Sequence, residues 1–177
     1  MGVNDKKELS NLEKKFQSDM RESFLKKGVT LVDPESVFFS KDTKIGKDVI
    51  IHPNVVFGPG VKIGNSVEIK SFSHLENTII GENVSIGPFA RLRDNTIIDR
   101  DTKVGNFVEI KKSKISKNVK ISHLSYLGDS IVKKNTNIGA GSITCNYDGI
   151  KKNKTKIKKN VFIGSNSSLV APVTINE

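Results

Sequence analysis

From Ile45 onward the hydrophobic positions recur every six residues. Branched aliphatics open successive units at Ile45, Ile51, Ile63, Ile69, Leu75, Ile80, Ile86, Leu92 and Ile98. The series continues through Val104, Ile110, Ile115, Ile121, Leu127, Val132, Ile138, Ile157, Ile163, Leu169 and Ile175, with Phe57 and Thr144 in the two remaining slots. Four places after the opening residue stands a small or β-branched one, as at Val49, Val55, Val67, Ala90, Val108 and Val119. Glycine often follows the opening residue, as at Gly46, Gly64, Gly105 and Gly139. The steps Leu75–Ile80, Ile110–Ile115 and Leu127–Val132 are one residue shorter. This period matches neither a helix face nor the alternation of a long strand. It predicts a short strand and a corner, repeated, with the first and fifth residues of each unit facing inward and the shortened steps forming tight corners. Three units close one triangular coil of about 18 residues, and stacked coils satisfy each other's backbone polar groups.

Residues 5–27 carry a different pattern. Leu9, Leu12, Phe16, Met20 and Phe24 recur at helical spacing, with Asn4 or Asp5 available to cap the start and Gly28 the end. The expected layout is a helical arm over 1–28 and a coiled β-domain over 29–177. The period breaks at 144–156, where Asp148-Gly149 signals a turn, so a loop leaves a corner there. In repeat scaffolds such insertions often mark the binding face.

The chain has 177 residues, enough for one domain with its own core. A single cysteine, Cys145, excludes an intramolecular disulfide framework and fits a reducing, cytoplasmic setting. No apolar run is long enough to span a membrane, and the charged first 27 residues argue against a cleaved secretory signal. The formal charge of +10 points either to plain solubility or to an anionic ligand. Nucleic acid is the weaker choice, because no binding module or aromatic stacking row accompanies the lysines.

His123 stands just past an inward position, on the outer side of its unit, where an imidazole can take a proton from an amine. Arg93, Lys111 and Lys112 lie in preceding coils, and stacking can align such cations on one wall to hold a phosphate. Asn146 and Tyr147 sit at the root of the loop, where an amide can donate to a developing oxyanion and a tyrosine can pack beside a ligand. Ser165 is by pattern alone a corner residue. The three histidines, His52, His74 and His123, form no close pair, so no metal site is expected.

The six-residue units resemble the hexapeptide-repeat family, whose fold is a left-handed parallel β-helix. That handedness comes from the resemblance alone, since the general rule for parallel crossovers favours the right hand. The runs Gly87-Pro88-Phe89-Ala90-Arg91-Leu92-Arg93, Gly105-Asn106-Phe107-Val108-Glu109-Ile110-Lys111-Lys112, His123-Leu124-Ser125-Tyr126-Leu127-Gly128-Asp129, Gly139-Ala140-Gly141-Ser142-Ile143-Thr144-Cys145-Asn146-Tyr147-Asp148-Gly149 and Leu169-Val170-Ala171-Pro172-Val173 resemble something narrower. They are similar to the C-terminal acetyltransferase region of the bacterial bifunctional glucosamine-1-phosphate N-acetyltransferase / N-acetylglucosamine-1-phosphate uridylyltransferase family.

The resemblance implies an all-β, left-handed parallel β-helix behind a helical linker, working as a homotrimer with each site between subunits. It implies acetyl transfer from acetyl-CoA to the amine of glucosamine 1-phosphate, feeding UDP-N-acetylglucosamine synthesis. It further implies His123 as general base, with Glu109 a weaker candidate to orient it. Arg93, Lys111, Tyr126, Asn137 and Lys152 correspond to sugar-phosphate positions. Ala140, Asn146, Tyr147 and Ser165 correspond to acetyl-CoA contacts, and Asn146 and Ser165 also to stabilisers of the tetrahedral intermediate. The family's magnesium serves a nucleotide-binding domain whose motifs are absent from this sequence, so no uridylyl transfer is expected. The chain stops at Ile175-Asn176-Glu177 in mid-unit, where the family continues. The corresponding expectation is a C-terminally truncated β-helix, with an open strand edge and a weakened coenzyme site. A non-catalytic trimeric scaffold that still binds sugar phosphate is the alternative.

Overall fold

The computed structural model describes residues 2–177. Helix α1 (Lys6–Lys26) leads into a parallel β-solenoid with three faces of eight short strands each. Face A runs from Thr30–Leu31 to Phe162–Ile163, face B from Phe38–Phe39 to Ser168–Val170, and face C from Lys44–Ile45 to Val173–Ile175. The chain visits them in the order A, B, C once per coil, and every strand pair is parallel. No described helix is long and apolar enough to cross a membrane.

The six-residue period maps directly onto this geometry. The opening aliphatics form the core: Ile51, Ile69, Leu75, Ile86, Leu92, Ile110, Ile121 and Leu127 are all fully buried. The residues two places before each strand's inward aliphatic, such as Val49, Val55, Val67 and Val119, close the corners from inside and are equally buried. Truncating one of the core isoleucines to Ala removes about 2–5 kcal/mol, because neighbouring coils cannot collapse into the gap. The shortened steps all fall on the turn from face B to face C. There one left-handed residue makes the corner, Asn77, Lys112 or Asp129 (φ 44, 48 and 48°). The full-length step Leu92–Ile98 at the same corner uses two, Asp94 and Asn95 (φ 55 and 62°).

Thr144 breaks the aliphatic series for a local reason. Its own carbonyl turns to accept the N–H of Asn146 at 2.9 Å as the chain leaves the coil. The Gly128 N–H, left without that backbone partner, donates to the Thr144 hydroxyl at 2.8 Å. The departing segment is the expected loop, and it is a compact hairpin between Ile143–Cys145 and Thr155–Ile157.

Helix α1 is capped by Asp5, whose carboxylate accepts the Glu8 N–H at 2.7 Å, and ends at Gly28 (φ 86°). Its buried face follows the apolar stripe only at its C-terminal end. Phe24 is buried as expected, but Leu9 and Leu12 are exposed, whereas Gln17 and Arg21 are buried. The reason is the strand edge of the first coil. The Gln17 amide donates to the Phe39 carbonyl at 2.8 Å and accepts the Phe39 N–H at 2.9 Å, as a neighbouring strand would. Arg21 covers the carbonyls of Val37 and Glu35, both at 3.1 Å. Polar residues face inward here because an exposed edge needs hydrogen-bonding partners.

Candidate active site

Stacking places residues one coil apart in register, and two groups of candidate residues emerge. The first lies on face B and its corner toward face C. Arg93 and Lys111 are register partners, and Glu109 pairs with Tyr126 on the adjacent outward row. The Arg93 guanidinium donates to Glu109 at 2.7 Å and to Asp94 at 3.0 Å, and Lys111 lies 3.4 Å from Asp94. Hydrogen bonding to Glu109 raises the Arg93 pKa above its ordinary value despite partial desolvation.

The hairpin returns Lys152 to this wall. Asp148 organises it by accepting the N–H groups of Ile150 and Lys151 and the Asn153 amide, at 2.9, 2.8 and 2.8 Å. Those same bonds, the backbone ones first, hold the Asp148 carboxyl below its usual range. Asn153 N–H closes the base onto the Asn146 carbonyl at 2.7 Å, and Tyr147 bridges Lys152. The Lys152 amine meets Lys111, and this contact pushes Lys152 below the ordinary lysine value. The Lys111 pKa is raised by the hydrogen bond its ammonium donates to the Lys152 amine in its neutral form, with Asp94 adding to it. The wall thus groups Arg93, Lys111 and Lys152 side by side, a cationic arrangement suited to a phosphate.

Gly128 gives this wall its shape. A Cβ there would stand 2.5 Å from the Tyr126 hydroxyl and 2.7 Å from the Asn146 amide nitrogen, so both side chains lie over a bare backbone. Asn146 is buried, and one of its amide N–H groups donates to the buried Asp129 at 2.7 Å. Only its other N–H remains for an oxyanion. Lys112 pairs with the same Asp129 at 3.8 Å.

The second group is a row along the outer edge of face A. His123 ends its strand and is the register partner of Asn106. Its Nδ1 is 2.5 Å from the Asn106 side-chain oxygen. A carbonyl oxygen only accepts, so Nδ1 carries the proton and Nε2 keeps a free lone pair. Asn106, not Glu109, orients the imidazole, since Glu109 is held by Arg93. Asn106 went unnoticed in the sequence, although its separation from His123 by 17 residues is one coil. Extending the register of neighbouring strands places Ala140 beside His123 and Ser165 beside Ala140. The Asn166 N–H donates to the Ala140 carbonyl at 2.7 Å, and Ser165 is exposed.

The two groups flank face B at opposite ends of its strands. Asn137 joins neither: it begins its strand at the far edge of face A, opposite Lys120 and Phe162. Tyr147 is exposed on the hairpin, its hydroxyl bonded to the Gly149 carbonyl at 2.6 Å. His52 is 2.9 Å from Glu68, and His74 lies on face B opposite Arg91.

Residues 42–77 match the profile of the bacterial transferase hexapeptide with six repeats, and residues 74–163, just over half the chain, match the GMPPB C-terminal domain. The chain belongs to the hexapeptide-repeat family. Within it, the sequence matches the C-terminal region of the bifunctional protein GlmU. It is 56% identical to GlmU of Zymomonas mobilis over 98% of this chain and 39% of that protein. It is 52% identical to GlmU of Agrobacterium fabrum over 99% of this chain and 39% of that one. The chain therefore spans about two fifths of the length of these curated relatives. Among solved structures, the acetyltransferase domain of PglB from Neisseria gonorrhoeae, in complex with acetyl coenzyme A, shares the fold. Its TM-score is 0.55 at 14% identity, covering 72% of this chain and 63% of that one. UDP-N-acetylglucosamine O-acyltransferase from Moraxella catarrhalis has a TM-score of 0.52 at 19% identity, covering 80% and 65%. Hexapeptide-repeat chains of this type share the solenoid, and the residues on its outer faces distinguish them.

Proposed function

We propose that this chain is an N-acetyltransferase acting on glucosamine 1-phosphate with acetyl-CoA as donor. The observation that carries the reading is the Asn106–His123 hydrogen bond, which fixes the tautomer with Nε2 free at the edge of a wall bearing three cations. The likeness to GlmU over nearly the whole chain supports the choice of substrates.

An amine attacks a thioester only after losing its proton. His123 Nε2 accepts that proton, and Asn106 keeps the ring oriented as it becomes cationic. Arg93, Lys111 and Lys152 hold the sugar phosphate, with Tyr126 packed against the ring over Gly128. Holding amine and thioester together removes much of the entropic barrier. In this reading the free N–H of Asn146 and the hydroxyl of Ser165, drawn from different copies because they stand at opposite ends of face B, donate to the tetrahedral intermediate, while Ala140 and Tyr147 border the coenzyme. Asn137 reaches a site only from another copy, which supports assembly as a homotrimer with shared sites. The helical arm over 1–28, the β-helix over 29–177 and a cytoplasmic location complete the reading.

The test is thiol release from acetyl-CoA that depends on glucosamine 1-phosphate. His123→Ala lowers the rate 100-fold or more with sugar-phosphate affinity kept. Unchanged turnover in that variant removes His123 from the base role. Tight sugar-phosphate binding with no turnover in the unsubstituted chain favours a scaffold instead.

A further inference from the structure

The corner from face C to face A is built from one repeated tripeptide pattern. Ser116-Lys117-Asn118, Lys133-Lys134-Asn135 and Lys158-Lys159-Asn160 stack in successive coils. The asparagines adopt left-handed backbone (φ 56, 58 and 56°) and form a ladder. Asn118 donates to Asn135, and Asn135 to Asn160, each at 3.1 Å. Backbone bonds tie the turns as well, Asn135 N–H to the Lys117 carbonyl at 3.3 Å and Asn160 N–H to that of Lys134 at 3.0 Å. The lysines are therefore carried by rigid turns one strand spacing apart, roughly 4.8 Å.

Lys117, Lys133, Lys134, Lys158 and Lys159 line a groove of about 470 Å³ together with Asp99 and Ser116. Only Lys159 among the five has an ion pair within the described residues, with Glu177 at 3.5 Å. Asp99 accepts the N–H of Arg100 at 2.8 Å. Stacked ammonium groups repel one another, and turns fixed by an amide ladder cannot splay to relieve it. An anion with similarly close charges does relieve it. The groove lining has no aromatic side chain on which a base could stack, and no apolar one to enter a bilayer. The geometry points to a binding site for a linear polyphosphate chain at this corner, which within one prism stands apart from the cationic wall of face B. It does not depend on the acetyltransfer reading, because its readout is binding alone.

The experiment is calorimetric titration of the full chain with tripolyphosphate and with long-chain polyphosphate. Binding of the long chain is expected to weaken roughly 50-fold between 50 and 200 mM salt if about four phosphates are neutralised. The double variant Lys134→Glu/Lys158→Glu is expected to lose at least 30-fold in affinity, and Lys134→Gln/Lys158→Gln a smaller factor, with thermal stability kept in both. Lys111→Ala/Lys152→Ala is expected to bind polyphosphate as the parent does. The proposal is overturned if the charge-reversed variant binds equally well, or if loss follows Lys111 and Lys152 instead. It is also overturned if coenzyme A displaces the ligand, or if single-stranded RNA of equal charge or anionic vesicles bind as tightly.

Discussion

Gly128 and Lys152 show how single residues tune the face B wall. Gly128→Ala puts a methyl against the ends of the Tyr126 and Asn146 side chains. The Tyr126 end can swing away, but the Asn146 amide is held by the buried Asp129, so the fold loses about 1–3 kcal/mol as the ligand wall deforms. The expected result is at least a tenfold fall in acetyl-transfer kcat/KM at a temperature where the variant remains folded; full activity in the folded variant contradicts this account. Lys152 is pushed below 10.5 by the Lys111 ammonium against it. A phosphate between them favours the charged form again, so binding raises the Lys152 pKa. The Lys152 contribution is then full below its lowered free-state pKa and is lost as pH rises through the pKa of the complex. Sugar-phosphate affinity is expected to decline as pH approaches the ordinary lysine value of 10.5. Lys152→Arg, which keeps its charge, moves that decline to higher pH. KM measured across the alkaline range checks it, and identical profiles count against the contact.

Elements were legible to different degrees. The coil order, the inward rows and the loop follow from the six-residue period, because a tight corner and a buried row each restrict residue type at fixed places. The helix was legible as an element, and so was the C-terminal end of its buried face at Met20 and Phe24, but the burial of Gln17 and Arg21 was not. Hydrophobic periodicity assumes an apolar target, and α1 meets the polar edge of a strand. Gln17→Ala leaves the Phe39 N–H and carbonyl without partners inside the contact and costs about 1–3 kcal/mol. Leu9→Ala, on the exposed apolar stripe, is expected to cost a few tenths of a kcal/mol. Denaturant midpoints of the two variants separate these outcomes, and a larger loss for Leu9→Ala refutes the edge-capping role. In the candidate site, the cations and His123 stood out by residue type. Asn106 did not, since a neutral amide carries no chemical signature until one coil of register sets it beside an imidazole.

At the scale of the whole molecule, the corner from face A to face B is the anomaly. Comparable corner positions hold Asn83, Asp101 and Asn118, which tolerate positive φ. Here Phe72, Phe89, Phe107 and Leu124 take that conformation, at 60, 54, 54 and 49°. Their side chains are 45–61% exposed, and the rings stack at 4.9 and 5.0 Å. Bulky residues held in strained backbone and left in water are explained if a contact with other copies covers them. A threefold ring that sets face A of one prism against face B of the next brings these three corners together at its axis. The proposed ring would also carry Asn137 of one copy toward the Arg93–Lys111 wall of its neighbour, from which it is separated within one prism. Two separately inactive variants, Asn137→Ala and Lys111→Ala, are therefore expected to regain activity when unfolded and refolded together. Some sites in the mixed trimers then combine an intact face A with an intact face B. Phe107→Asn, which suits the left-handed corner, is expected to give monomers that keep their melting transition but cannot be complemented. If co-refolded mixtures stay inactive although sedimentation shows mixed trimers, each site belongs to one chain and the ring arrangement is wrong.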